Sequence, residues 1–181
     1  GKLTNLGSLF LYNNEMSGTL VSDIFDATRL YQLYLHENYF EGTVPTEISN
    51  CLLMYHLDLH DNYFGGEIPN TIGALSNLYT LDLSENEFNW KFPYQFGNLK
   101  NLGYLYLQIN FLTGTIPEAI ADMTALNTLY IEKNRFTGTI PTALYTMSSL
   151  FYVHLSEGND FTGYIPEVNF VTNSQLHYGA A

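Results

Sequence analysis

Leu126–Pro141 reads Leu-Asn-Thr-Leu-Tyr-Ile-Glu-Lys-Asn-Arg-Phe-Thr-Gly-Thr-Ile-Pro, and the recurrence of its apolar frame decides the fold. Its asparagine, Asn134, has counterparts at Asn14, Asn38, Asn62, Asn86 and Asn110, each 24 residues apart, and at Asn159 after a step of 25. Ahead of each asparagine stand three apolar residues, from Leu6, Leu9 and Leu11 in the first turn to Leu150, Val153 and Leu155 in the seventh. Two residues after it come Met16, Phe40, Phe64, Phe88, Leu112, Phe136 and Phe161. Four residues after it comes Gly18, Gly42, Gly66, Gly114, Gly138 or Gly163, with Trp90 breaking the column once. All 6 prolines fall in one further column, in which the first turn has Val21 instead.

Each column has a physical reason. Alternating apolar residues before the asparagine describe a short strand with leucines turned inward and their neighbours outward. One such strand cannot bury its leucines alone, so the turns must stack into a continuous core. The asparagine amide can satisfy backbone groups that have left the strand ladder. The phenylalanines are expected to stack along the opposite inner wall, the glycines to allow a tight bend, and the prolines to fix φ where no ladder bond is needed.

The unit L-x-x-L-x-L-x-x-N-x-F-x-G-x-I-P resembles the plant-type leucine-rich repeat, and the resemblance covers residues 3–166. It implies an α/β-type repeat solenoid, curved and right-handed. A parallel sheet lies on the concave side, short helical or 3-10 turns on the convex side, and further short strands on the flank. Residues 1–166 then form the solenoid, and 167–181 a tail in which Phe170 and Leu176 fold back as a rudimentary cover. Seven strands spaced by about 4.8 Å give a sheet roughly 30 Å long. Cys51 resembles a family cysteine that packs as a small buried hydrophobe. Neither end shows a cysteine-paired cap, so more repeats or a neighbouring subunit are expected to cover the leucine edges. Gly1-Lys2-Leu3-Thr4-Asn5 falls within a repeat and has no signal-peptide pattern, which suggests a mature or truncated piece of something longer.

Composition narrows the partners. A hydrophobic content of 46% with 13% charged residues excludes disorder. Six basic against 18 acidic residues leave a net charge of -12, which repels nucleic acid and anionic lipid. No apolar run is long enough to span a bilayer. A lone cysteine cannot form an internal disulfide, so it says nothing of the redox compartment.

The outward strand residues predict where a ligand sits. Tyr34, Asp58, Asp82, Tyr106 and Tyr130 share one column, with His56 and Tyr104 on one side and His36, His60 and Glu132 on the other. Tyrosines offer rigid contact area with a hydrogen-bonding tip, and carboxylates suit sugar hydroxyls or Lys and Arg. A polar, strand-favouring surface would also select such residues without any ligand. His56, Asp58 and His60 alternate on one side of a strand, with His36 beside His60 and Asp82 beside Asp58. The weak metal candidate His36, His60 and Asp58 is therefore set against a solvated polar patch, which is the reading preferred. Trp90, in the glycine column, either fills a packing gap, the reading preferred, or forms a flank contact with Phe92.

No nucleophile-base set, metal-protease helix or phosphate loop is present, so neither an enzyme nor a cofactor is expected. The first function predicted is recognition of a peptide, protein or glycan in an extracellular or cell-surface setting. The absence of N-x-S/T sequons is a departure from secreted members of the family. The alternatives are a structural scaffold subunit and, more weakly, an ice or surface binder built on Thr19, Thr43, Thr115 and Thr139, a column interrupted by Glu67, Lys91 and Tyr164.

Overall fold

Eight residues separate Pro45, Pro69, Pro93, Pro117 and Pro141 from the next leucine frame, and the chain closes each coil there with a short 3-10 turn. In the computed structural model, which describes residues 3–164 and the backbone of 175–177, these turns are Ser22–Asp26, Thr46–Asn50, Asn70–Ala74, Tyr94–Asn98, Glu118–Asp122 and Thr142–Tyr145. Pro45, Pro69, Pro93, Pro117 and Pro141 each stand immediately before one, with φ between -55° and -76°. That is the range the pyrrolidine ring enforces, and none of these residues needs to donate to a ladder.

The odd-numbered strands build the main sheet. They are β1 (Ser8–Phe10), β3 (Gln32–Tyr34), β5 (His56–Asp58), β7 (Thr80–Asp82), β9 (Tyr104–Tyr106), β11 (Thr128–Tyr130), β13 (Tyr152–His154) and β15 (Gln175–His177). Their spatial order follows chain order and every pair is parallel. Leu9, Leu33, Leu57, Leu81, Leu105, Leu129 and Val153 lie opposite one another. The eighth strand is a correction to the expected seven. It comes from the segment read as non-repeat tail, with Leu176 opposite Val153; Phe170 and Pro166 lie outside the described residues.

The even-numbered strands form the flank in two pieces. One contains β2 (Ser17–Thr19), β4 (Tyr39–Gly42), β6 (Tyr63–Gly66) and β8 (Glu87–Phe88); the other contains β10 (Thr113–Gly114), β12 (Arg135–Thr139) and β14 (Asp160–Thr162). The break falls at Trp90. Glycines of that column have positive φ, for example +72° at Gly66 and +78° at Gly114, whereas Trp90 does not take that conformation. No ladder joins the two pieces; the isolated bridge Lys91–Thr113 and the backbone bonds from Phe111 N–H to Phe88 and from Thr113 N–H to Trp90, each 2.8 Å, cross the gap.

Leucines of the middle turns are fully buried, as are Phe64, Phe88 and Phe136 of the spine and Cys51. Phe40 stacks on Phe64 at 6.1 Å and Phe136 on Phe161 at 6.4 Å. Cys51 packs against the carbonyls of Phe25 and Ala27, and burial pushes its thiol up to about 11, as an inert structural cysteine requires. Each inner asparagine ties its own turn to the one before. The Asn62 amide donates to Leu35, Leu59 and His60 carbonyls, while its Oδ1 accepts the Phe40 N–H at 2.9 Å. The residues just ahead of the first six asparagines, among them Glu37, Asp61, Glu85 and Ile109, adopt left-handed φ between 51° and 57°.

Candidate functional site

Because Leu33 and Leu35 point into the core, Gln32, Tyr34 and His36 must point away from it, and the same holds in every turn. Parallel pairing in register then sets outward residues of successive turns side by side. The result is a pavement of rings. Phe10 and Tyr34 lie 5.2 Å apart, Tyr106 and Tyr130 5.4 Å, Tyr130 and His154 5.9 Å, and Tyr104 and Tyr106 6.5 Å. Burial raises the Tyr34 and Tyr106 phenols, with Asp58 and Asp82 respectively adding to the effect, so both hydroxyls stay protonated donors.

Between the aromatic banks lie Asp58 and Asp82. His60 Nδ1 meets Asp58 Oδ1 at 2.8 Å, and His36 Nδ1 lies 3.2 Å from Oδ2, though misaligned for a hydrogen bond. The two imidazoles stack at 4.5 Å and 11°, and Tyr12 stacks on His36 at 4.6 Å. His60 is raised to about 9, first by its hydrogen bond to Asp58, with Asp58, Asp82 and Glu37 charges helping and burial opposing. His56 behaves differently: burial lowers it against the pull of Asp58, and its ring sits edge-on to Tyr55 at 4.6 Å. The trio that meets is therefore His36, Asp58 and His60, with ligand atoms all within 4.8 Å of one another. Each imidazole faces its own Asp58 oxygen, so one carboxylate is shared by two stacked rings, and the three residues together offer one ligand atom apiece at a spacing a metal ion could use.

Asp82 is raised by burial, with Asp58 adding to the shift, against hydrogen bonds from the Ser84 hydroxyl at 2.6 Å and backbone at 3.0 Å. Glu132, 12% exposed, is raised first by burial, while its own backbone N–H and His154 oppose. His154 Nδ1 approaches its Oε1 at 3.2 Å; Oε2 is buried with no hydrogen-bond partner, and so is Gln108 Oε1 in the turn before.

One feature of this face went unread in the sequence. Tyr55 and Tyr79 stack at 5.2 Å beside the strands, and a Cβ on Gly103 would meet the Tyr79 ring at 2.9 Å, so that glycine makes room for it. The 24-residue recurrence of Tyr31, Tyr55 and Tyr79 was the available signal. Tyr12, His154 and Gln108 also belong to the surface, and their columns already contained them. Trp90 corrects the packing expectation: it is 55% exposed, while Phe92 is buried against Phe96 and Phe136, so the two do not form one contact. At the first turn, Leu3, Leu6, Leu9, Val21 and Ile24 line an apolar concavity of about 510 Å³.

Four segments, 29–51, 54–75, 77–99 and 125–147, match the model of the Leucine Rich Repeat family, together about half of the chain. Among solved structures, the chain is 33% identical to the plant peptide hormone receptor RGFR1 in complex with RGF2. That alignment has a TM-score of 0.85 and covers 87% of this chain and 25% of that one. The Arabidopsis receptor kinase HAESA, in complex with the peptide hormone IDA and the co-receptor SERK1, is 27% identical at a TM-score of 0.79, with coverage of 97% and 34%. A plant ice-binding protein is 29% identical at 0.80, with coverage of 88% and 51%. The chain thus spans about a quarter to a half of the length of these proteins. No curated protein matches it at a significant level.

Proposed function

Since the chain belongs to the leucine-rich-repeat family, we propose that it is a non-catalytic recognition module that takes a peptide or protein segment along its concave face, in an extracellular or cell-surface setting. The observation that carries this reading is the ring pavement from Tyr104 to His154, held rigid by in-register strands and separated by 5.4 to 6.5 Å. Preorganised rings lose little entropy on binding, and protonated phenols can donate to peptide carbonyls. Two receptors of similar fold are named in complex with peptide hormones, which supports a peptide over a glycan. Asp58, Asp82 and Glu132 each lean on a neighbouring His or Ser, an arrangement for holding a surface rather than for acid-base chemistry.

The test is binding of the purified chain to an immobilised peptide library, with and without the double change Tyr106→Ala, Tyr130→Ala. Loss of peptide capture with an unchanged melting temperature supports the concave face. Capture that persists unchanged in the double variant refutes it.

A scaffold role is the second reading, favoured by the apolar concavity at the first turn. Light scattering separates the two, because a scaffold assembles regardless of the tyrosine changes. The ice-binding alternative meets an obstacle in the flank, where the threonine column runs across the break at Trp90 and no continuous flat sheet exists.

A further inference from the structure

The carboxylates of the concave face differ in how they are satisfied. Asp58 faces two imidazoles, and Asp82 accepts from the Ser84 hydroxyl and backbone. Glu132 gives one oxygen to His154 and keeps the other sealed from solvent without a partner, and Gln108 does the same with its Oε1. The two residues are neighbours: Ile109 N–H donates to the Glu132 carbonyl at 3.0 Å, which sets Gln108 beside Glu132 on adjacent turns. Two residues earlier on the same turns stand Tyr106 and Tyr130, rings 5.4 Å apart. Lys133 is drawn away to Glu157 at 3.7 Å. This spot holds two acceptor oxygens without donors and is bordered by aromatic rings.

A buried acceptor without a donor is a cost the free chain carries; both oxygens are closed to water there, so a ligand N–H reaches them, and removes that cost, as the two side chains turn outward. Acceptors on neighbouring turns, about 5 Å apart, suit a planar fork of N–H groups better than a single ammonium. An aromatic border adds cation–π attraction, and the net charge of -12 favours a cation over long range. We propose that Gln108 and Glu132, bordered by Tyr106 and Tyr130, form a subsite for a guanidinium group, the arginine side chain of a bound peptide. The proposal rests on the concave-face reading and names the ligand chemistry at one point along it.

The probe is N-acetyl-arginine amide, titrated into the isotope-labelled chain while amide shifts are followed by NMR, with N-acetyl-citrulline amide as its uncharged match. Saturable shifts at Gln108, Tyr130 and Glu132 are expected, at least about ten-fold weaker for citrulline, as the loss of one charge-assisted bond implies. Glu132→Gln keeps the shape and should weaken the arginine probe about ten-fold, and Gln108→Ala should weaken it several-fold without touching the carboxylate. Equal affinity for the two probes, or an arginine affinity unchanged in both variants, overturns the subsite. If peptides from the library still depend on Tyr106 and Tyr130 while the probe ignores Glu132, the subsite is wrong and the concave-face reading stands.

Discussion

Replacing Asn86 by alanine is expected to cost about 3 kcal/mol of folding stability, and the figure follows from four hydrogen bonds. The Asn86 Oδ1 accepts the buried Phe64 N–H at 2.9 Å, and its amide donates to the carbonyls of Leu59 at 2.9 Å, Leu83 at 3.3 Å and Ser84 at 2.9 Å. Alanine leaves the Phe64 N–H alone in the core, a loss of about 1–3 kcal/mol, and the three carbonyls forfeit a shared donor for roughly 1 kcal/mol more. Asn14 provides the control. Its amide reaches only Leu11 and Tyr12 carbonyls of its own turn, and the residue is exposed, so water replaces what alanine removes. Asn14→Ala should therefore cost only about 0.5 kcal/mol. Urea unfolding followed by circular dichroism gives both values. Equal losses for the two variants, or a loss below about 1 kcal/mol for Asn86→Ala, would refute the idea that this asparagine acts by bonding one turn to the next.

Two further predictions concern the backbone and pH. Ile109 holds a φ of +57° while 40% exposed, a conformation disfavoured for a β-branched residue, so Ile109→Asn should stabilise by about 1 kcal/mol and raise the melting temperature by about 3 °C. The His60 value rises from 6.5 to about 9 in the folded chain, so its stabilisation is fully present below about pH 6.5 and is lost as pH climbs through 9. Thermal melts between pH 6 and 9.5 should show that decline, on the order of 1 kcal/mol after solvent screening, and His60→Gln should flatten it.

Much of this architecture is legible in the chain alone because a solenoid repeats one local problem. Each leucine meets the equivalent leucine of the next turn, so Leu33, Leu57 and Leu81 determine both strand and neighbour without long-range search. The outward columns follow from the same alternation, which is why the repeat by itself sets Tyr106 and Tyr130 side by side. Spacing also hinted at the meeting of His36, Asp58 and His60.

What spacing leaves open is how a side chain turns once it is on the face. Asp58 could have paired with His56, two residues back on its own strand; it meets His36 and His60 because χ angles and ring stacking settle the choice. The break in the flank likewise depended on the backbone at Trp90, which lacks the positive φ of its column. The eighth strand arises from a segment with no repeat signature, paired through backbone groups that any residue carries. Periodicity thus determined the coil, its core and the members of each face. Rotamers and pairing, set only when neighbouring turns close on one another, decided which carboxylate oxygen is satisfied and which waits for a donor.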